Sequence, residues 1–162
     1  MSFLRALTLT TVCALGFATF LPSCASTNSS SATSLKSLYD RLGGEPAITA
    51  VVDDFVGRAA GDPKVNFTRK GTAMEFDANA ANVAHLKAML VQFIGSATGG
   101  PQHYQGRAMK PVHAGMNITD AEFNAIAGDL KATLDKFKVP AKEQGELMAI
   151  VGTTRADIVT MH

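Results

Sequence analysis

The chain has 162 residues, with 15 Lys and Arg against 14 Asp and Glu, 46% hydrophobic and 18% charged side chains. That length holds one domain plus a short appendage. The near-neutral balance gives no electrostatic basis for binding nucleic acid or an anionic membrane surface.

The N-terminus differs from the rest. Arg5 is its only charge, and an apolar run from Ala6 to Leu21 ends in Leu21-Pro22-Ser23-Cys24. Such a run behind one basic residue, closed by small residues, reads as a secretory signal rather than a spanning helix. Leu-x-x-Cys resembles a bacterial lipobox. The resemblance implies that residues 1–23 are a signal peptide and that Cys24 becomes the lipidated first residue. An ordinary cleaved signal with an incidental cysteine is the alternative. Cys13 lies inside the apolar run and leaves with it, so the mature chain has no disulfide. Ala25 after Cys24, by resemblance to lipoprotein sorting signals, leans towards the outer membrane, facing the periplasm. Residues 24–34 then carry the lipidated cysteine and a Ser/Thr/Asn-rich flexible tether without apolar periodicity.

The domain spans residues 35–160. Ser34 is a candidate N-cap for a helix with Leu35, Leu38, Tyr39 and Leu42 at helical spacing, stopped by Gly43-Gly44. Glu45-Pro46 restarts a helix whose apolar face is Ile48, Val51, Val52, Phe55 and Val56, ended by Gly57, Gly61 and Asp62-Pro63. Residues 62–82 read as a loop with a helical turn near Ala73–Phe76 and isolated aromatics at Phe67 and Phe76. A helix from Asn79 or Asn82 presents Val83, Leu86, Leu90, Phe93, Ile94 and Ala97 on one face and stops at Gly99-Gly100. A short helix carries His113. Thr119 and Glu122 form a capping box for a helix with the stripe Phe123, Ile126, Leu130, Leu134 and Phe137, ended by Val139-Pro140. A last helix from Ala141 to Val159 presents Leu147, Ile150, Val151, Thr154 and Ile158. No segment alternates with period two long enough for a sheet, so the fold class is all-α.

The chemistry concentrates in Gly99-Gly100-Pro101-Gln102-His103-Tyr104-Gln105-Gly106-Arg107-Ala108-Met109-Lys110-Pro111-Val112-His113-Ala114-Gly115. Met109 precedes His113 by four residues, so the two share a helix face. An imidazole beside a thioether and an aromatic suits a large flat cofactor with a metal at its centre. Gly-Gly-Pro-x-x-Tyr-x-Gly-x-x-Met-x-x-x-His-x-Gly resembles the proximal haem segment of the group I truncated haemoglobins, and Leu38-Tyr39-Asp40-Arg41-Leu42-Gly43-Gly44-Glu45-Pro46 resembles their opening. The resemblance covers about residues 35–160. It implies a truncated globin, a two-over-two helical sandwich around one haem b, with His113 as the proximal iron ligand. Phe67 then packs on the haem face, Tyr104 and Met109 line its edge and proximal side, and Leu86, Leu90, Phe93 and Ile94 pack against the porphyrin. Taken alone, each of these residues is equally explained as core. Arg107, Lys110 and Lys87 are candidates for the propionates, and surface solvation explains them as well.

The distal side departs from the family. Group I members place a tyrosine after a phenylalanine on the second helix, often with a glutamine on the next, to hydrogen-bond dioxygen at the iron. Here Val56 follows Phe55, and Leu90 stands at the glutamine position counted back from Gly99-Gly100. The expected pocket of Val56, Leu86, Met89 and Leu90 is apolar. A missing donor to a polar ligand forfeits about 1–3 kcal/mol, which penalises dioxygen more than NO or CO. Two features offer a polar or ligating substitute. The link between Phe67 and Leu86 is longer than is usual in the family, so Thr68, Arg69, Lys70 or Thr72 could fold back as donors. Met89 could supply a sixth iron ligand, and His/Met ligation raises a haem potential; core packing is its other explanation. His85 is expected at the surface rather than at the iron.

The leading expectation is therefore a haem protein that binds a diatomic gas such as dioxygen, exported and lipid-anchored at the cell envelope, and a gas binder more than an enzyme. Haem-dependent NO detoxification, or redox chemistry with an electron-donating reductase, is one alternative. The first of these lacks a visible distal acid–base group. A haem-free helical interaction domain is another. A zinc site built from His85, His103 and His113 lacks the short paired spacing of zinc ligands.

Overall fold

The computed structural model describes residues 36–161. The expected signal peptide, Cys24, the tether and a cap at Ser34 lie outside the described residues. Within them the secondary structure is helical: α1 (Leu38–Leu42), α2 (Gly44–Gly61), α3 (Ala80–Ala97), α4 (Met109–His113), α5 (Asp120–Lys136), α6 (Ala141–Thr153) and α7 (Arg155–Ile158).

The helix ends follow local chemistry. The first helix starts later than the expected Ser34 cap: the Ser37 hydroxyl caps α1 by accepting from the Asp40 amide. Gly43, at φ +98°, ends α1 and opens α2, and a Cβ there would stand 2.9 Å from that of Ala47. Only glycine meets both demands. Asn79 caps α3 by accepting from the Asn82 amide at 2.9 Å. Thr119 and Glu122 close the expected capping box on α5.

The pair α2–α3 packs against the pair α5–α6, chiefly through α2 on α5, while α1 braces α2 and α6. This is the expected two-over-two sandwich. Its core joins Ile48, Val51, Val52 and Val56 of α2 to Ile94 of α3, Leu130 and Leu134 of α5, and Leu147 of α6. Fully burying one such side chain is worth about 1.5–3 kcal/mol, so this cluster is what registers the four helices.

Three expectations need correction. The last helix breaks at Thr154, because the hydroxyls of Thr153 and Thr154 bond back to the carbonyls of Ile150 (2.6 Å) and Val151 (2.7 Å). Such back-bonding competes with helix continuation. Of the stripe on those helices only Leu147 is fully buried. Phe137 is 41% exposed; α5 ends before it, and the chain reverses at Lys138 (φ +55°), leaving the ring at the rim beneath the Lys136 ammonium. Of the helical turn expected near Ala73–Phe76, only a turn at Ala73 and Met74 is present. The Phe76 amide instead bonds the Thr68 carbonyl (2.8 Å), folding the Phe76 ring edge-on against Phe67 at 5.9 Å.

Candidate functional site

The segment that delivers His113 is held from both sides. The glycine turn after α3 closes with the Gly100 amide on the Gly95 carbonyl (2.8 Å) and Gly99 at φ +84°. A Cβ on Gly100 would lie 2.5 Å from the Tyr39 ring, so α1 sits directly on this turn. Gln102 donates to the Tyr39 hydroxyl and to Glu45, both at 2.9 Å, and that hydroxyl accepts from the Glu45 amide. Downstream, Tyr104 donates its hydroxyl to the Arg107 carbonyl (3.0 Å) and packs its ring edge-on against Phe93 at 5.6 Å. Two of the expected site residues thus meet. The Gln105 amide on the Gln92 side chain (3.1 Å) ties the same loop to α3.

On α4, Nδ1 of His113 donates to the Met109 carbonyl at 2.8 Å. A backbone acceptor at Nδ1 sets the tautomer and leaves Nε2 with its lone pair free. Half-burial pushes the His113 pKa below its usual value; the Met109 bond opposes this, and the nearby Arg69 charge reinforces it. The imidazole is therefore neutral at pH 7, the form that ligates a metal.

The elements that carry the other expected site residues leave apolar side chains short of burial. The most apolar of the longer helices, α3, buries only Ile94 and Gly95, and α4 buries none of its residues. Leu86, Met89, Leu90 and Phe93 of α3, with Tyr104 and Met109, are all half-buried. Phe67, Leu90 and Phe93 also pack against the core cluster. A neutral imidazole on α4, with half-buried apolar and aromatic side chains on α3 and the loop that follows it, supplies the kinds of group that a flat, largely apolar cofactor with one axial protein ligand requires.

Val56 is 3% exposed and borders a cavity of about 430 Å³ between α2, the 62–79 segment and α3, with Phe67, Val83, Thr68 and Lys87 also in its wall. Of the four residues expected to form the distal pocket, this cavity brings in Val56. His85 is exposed, as expected from its position. Lys87 is already paired with Asp53 at 3.0 Å, while Arg107 and Lys110 are exposed. Among the described residues no three His, Cys, Asp or Glu side chains converge on one point to hold an ion, and no helix is long and apolar enough to cross a membrane.

The 62–79 segment departs most from expectation. Arg69 does not reach over the Val56 side. It is 7% exposed and donates to the Met116 carbonyl (3.1 Å), the Asn66 carbonyl and the Glu122 carboxylate. Thr72 donates to the Arg69 carbonyl (2.8 Å) and Lys70 is exposed, whereas Thr68, though exposed, stands in the wall of the Val56 cavity as one of the four offered donors. The Arg69–Glu122 pair was invisible in sequence because its partners lie 53 residues apart. Glu122 carried a signal only for its capping role.

Comparison with known proteins agrees with this geometry. The family model for bacterial-like globins matches residues 37–160. The chain is 34% identical over 124 residues to the group 1 truncated hemoglobin GlbN of Mycolicibacterium paratuberculosis, covering 76% of this chain and 85% of that protein. It is 35% identical over 123 residues to the group 1 truncated hemoglobin GlbN of a Nostoc species, covering 76% and 85%. Among solved structures, the Fe(III) form of truncated hemoglobin from Tetrahymena pyriformis aligns with a TM-score of 0.66 at 31% identity, over 76% of this chain and 98% of that one. The 2/2 hemoglobin from a Synechococcus species, in the cyanomet state with covalently attached heme, aligns with a TM-score of 0.64 at 32% identity, over 76% and 98%. With most of its length matched by the family and by relatives above 30% identity, this chain belongs to the group I truncated haemoglobins.

Proposed function

We propose that this globin holds one haem b per chain through Nε2 of His113 and binds a diatomic gas — dioxygen, NO or CO — on an apolar distal side. Membership of the globin family supports haem-based gas binding in general. The observation that carries the finer reading is the His113 Nδ1 bond to the Met109 carbonyl at 2.8 Å, which presents a neutral, oriented imidazole. When bound, the haem supplies an iron with an open coordination position for a gas. The chain's own residues do the rest. Phe67, Phe93, Tyr104 and Met109 cover the apolar ring, and Val56, Leu86 and Leu90 exclude water from the ligand side. Val56 and Leu90 offer no hydrogen-bond donor where other group I members carry tyrosine and glutamine. Dioxygen is then held more weakly than in those relatives, and NO and CO lose less.

The reading extends to the N-terminus. Residues 1–23 direct export, Cys24 takes the lipid, and the domain is tethered at the cell envelope, where a reductase would keep the iron ferrous. The sequence Leu21-Pro22-Ser23-Cys24 supports this. Palmitate labelling that Cys24→Ser abolishes is the expected result.

The deciding experiment is an ultraviolet–visible spectrum of residues 26–162 reconstituted with haem, ferric and reduced, beside His113→Ala. The expected outcome is a sharp Soret band that the variant loses or shifts to the blue, with a five-coordinate reduced form. Split low-spin bands in the reduced form that Met89→Leu removes would replace the open gas site with a Met89-ligated redox site. A spectrum unchanged by His113→Ala would overturn the assignment.

A further inference from the structure

Arg69 combines three features that are each unfavourable alone. It is the one buried cation among the described residues, it sits at φ +52° in the left-handed region, and it belongs to a loop rather than a helix. A buried guanidinium needs hydrogen-bond acceptors at its nitrogens and a counter-charge, or it destabilises the fold. A non-glycine residue held at positive φ persists only where its surroundings over-determine it. Both conditions are met by one set of partners. Nη1 donates to the Met116 carbonyl, three residues beyond His113; Nε donates to the Asn66 carbonyl; Nη2 meets the Glu122 carboxylate. Glu122 is in turn immobilised by the capping box, accepting from the Thr119 amide (3.0 Å), and by the Asn66 amide (3.2 Å).

A second contact comes from the same segment. The Met74 side chain lies 3.3 Å from where a Cβ on Gly115 would be, so it rests on the turn that leaves α4. That turn is otherwise lightly held: Gly115 and Asn117 both take positive φ, and its internal bond runs from the Met116 amide to the His113 carbonyl at 3.1 Å. The 62–79 segment therefore braces the main chain just behind the imidazole, while Met109 holds the imidazole from in front.

We propose that Arg69 is a positioning residue for His113: by pinning the Met116 carbonyl to Glu122 at the start of α5, it sets how the imidazole stands toward the iron. The proposal rests on the reading of His113 as the ligand. The Arg69–Met74 part of the link after Phe67 then works on the proximal side.

The test compares Arg69→Met, Arg69→Lys and the double variant Arg69→Met/Glu122→Gln with Arg41→Met. Arg41 ties α1 to α6 through Glu143 and Glu146, a clamp of the same chemistry away from α4. Two readouts are taken on haem-loaded protein: the iron–histidine stretching band in the reduced form, and haem loss to an excess of acceptor apoglobin. A third, amide hydrogen exchange at Met116 and Asn66, whose amides bond the His113 carbonyl and the Glu122 carboxylate, is taken on the apoprotein. Arg69→Met and the double variant are expected to shift and broaden the stretching band, to speed haem loss about tenfold, and to lose protection at these amides. Arg69→Lys, a point charge without the planar fork, is expected to restore little of this, and it decides the matter if Arg69→Met does not fold. Arg41→Met is expected to lower the melting temperature and leave the band in place. A band and haem-loss rate unchanged in the Arg69 variants, with normal haem bands that His113→Ala removes, overturn the positioning role while the ligand assignment stands. Haem bands in the parent protein that His113→Ala leaves intact overturn both.

Discussion

The proposed apolar distal side is best tested by restoring the missing donor. Val56 is 3% exposed on α2 and borders the cavity of about 430 Å³ that also touches Phe67 and Val83. Val56 belongs to the buried core and also borders this space, which is where the ring of Val56→Tyr has room. Its hydroxyl can then meet a polar ligand at the iron. Val56→Phe adds the same ring without the hydroxyl, so the difference between the two isolates the hydrogen bond from the bulk. A net bond of about 1–2 kcal/mol, at 1.36 kcal/mol per tenfold, slows dioxygen dissociation about 5- to 30-fold in the tyrosine variant relative to the phenylalanine one. Carbon monoxide, a poorer acceptor, should dissociate at nearly equal rates from both. Stopped-flow mixing of the dioxygen complex with excess CO reads the first rate, and NO displacement of CO reads the second. Equal dioxygen rates in the two variants would refute the placing of Val56 beside the ligand. If the parent already releases dioxygen as slowly as the tyrosine variant, the distal side carries a donor and the apolar reading fails.

Other outcomes follow from packing and charge. Gly100→Ala should destabilise the apoprotein by about 1–3 kcal/mol in urea unfolding, since the new Cβ meets the Gly95 carbonyl oxygen at 2.8 Å as well as Tyr39. Gly128→Ala, in the interior of α5 with nothing within 4 Å, should stabilise it by about 0.5–1 kcal/mol. Thr119→Ala removes the cap of α5 and should cost about 1 kcal/mol. Asp129 has an unpartnered buried carboxylate oxygen, and burial together with Asp62 pushes its pKa up. The folded state thus binds that proton more tightly than the unfolded chain, so stability falls as the pH rises from the usual carboxylate value, and the loss is complete above the folded pKa. Asp129→Asn should add about 1 kcal/mol at pH 7, and the gain should vanish as the pH falls below the usual carboxylate value of 3.8. Thermal melts of parent and variant across that range would check the sign.

Much of the site was legible because it is local. The spacing of Ile48, Val51, Val52 and Val56 specifies a buried face on α2, and Thr119 with Glu122 specifies where α5 begins, since both depend only on residues within a few turns. The short helix carrying His113, with Met109 four residues earlier, is local in the same sense, and there the carbonyl of Met109 proves the decisive atom. The departures mark where distance enters. Phe137 continues the apolar period of α5 but falls past its last turn. Thr154 continues that of α6, yet its hydroxyl and that of Thr153 find backbone partners that end the helix.

By itself the sequence determined the helix faces, the glycine stops, the imidazole on a short turn and the absence of a donor at Val56 and Leu90, because each is a matter of residue type at short spacing. Only the tertiary structure decided where the link after Phe67 goes. Arg69 pairs with a carboxylate 53 residues away and with the Met116 carbonyl. A backbone oxygen carries no mark in a sequence, and a long-range ion pair is selected by which surfaces the packed helices bring together.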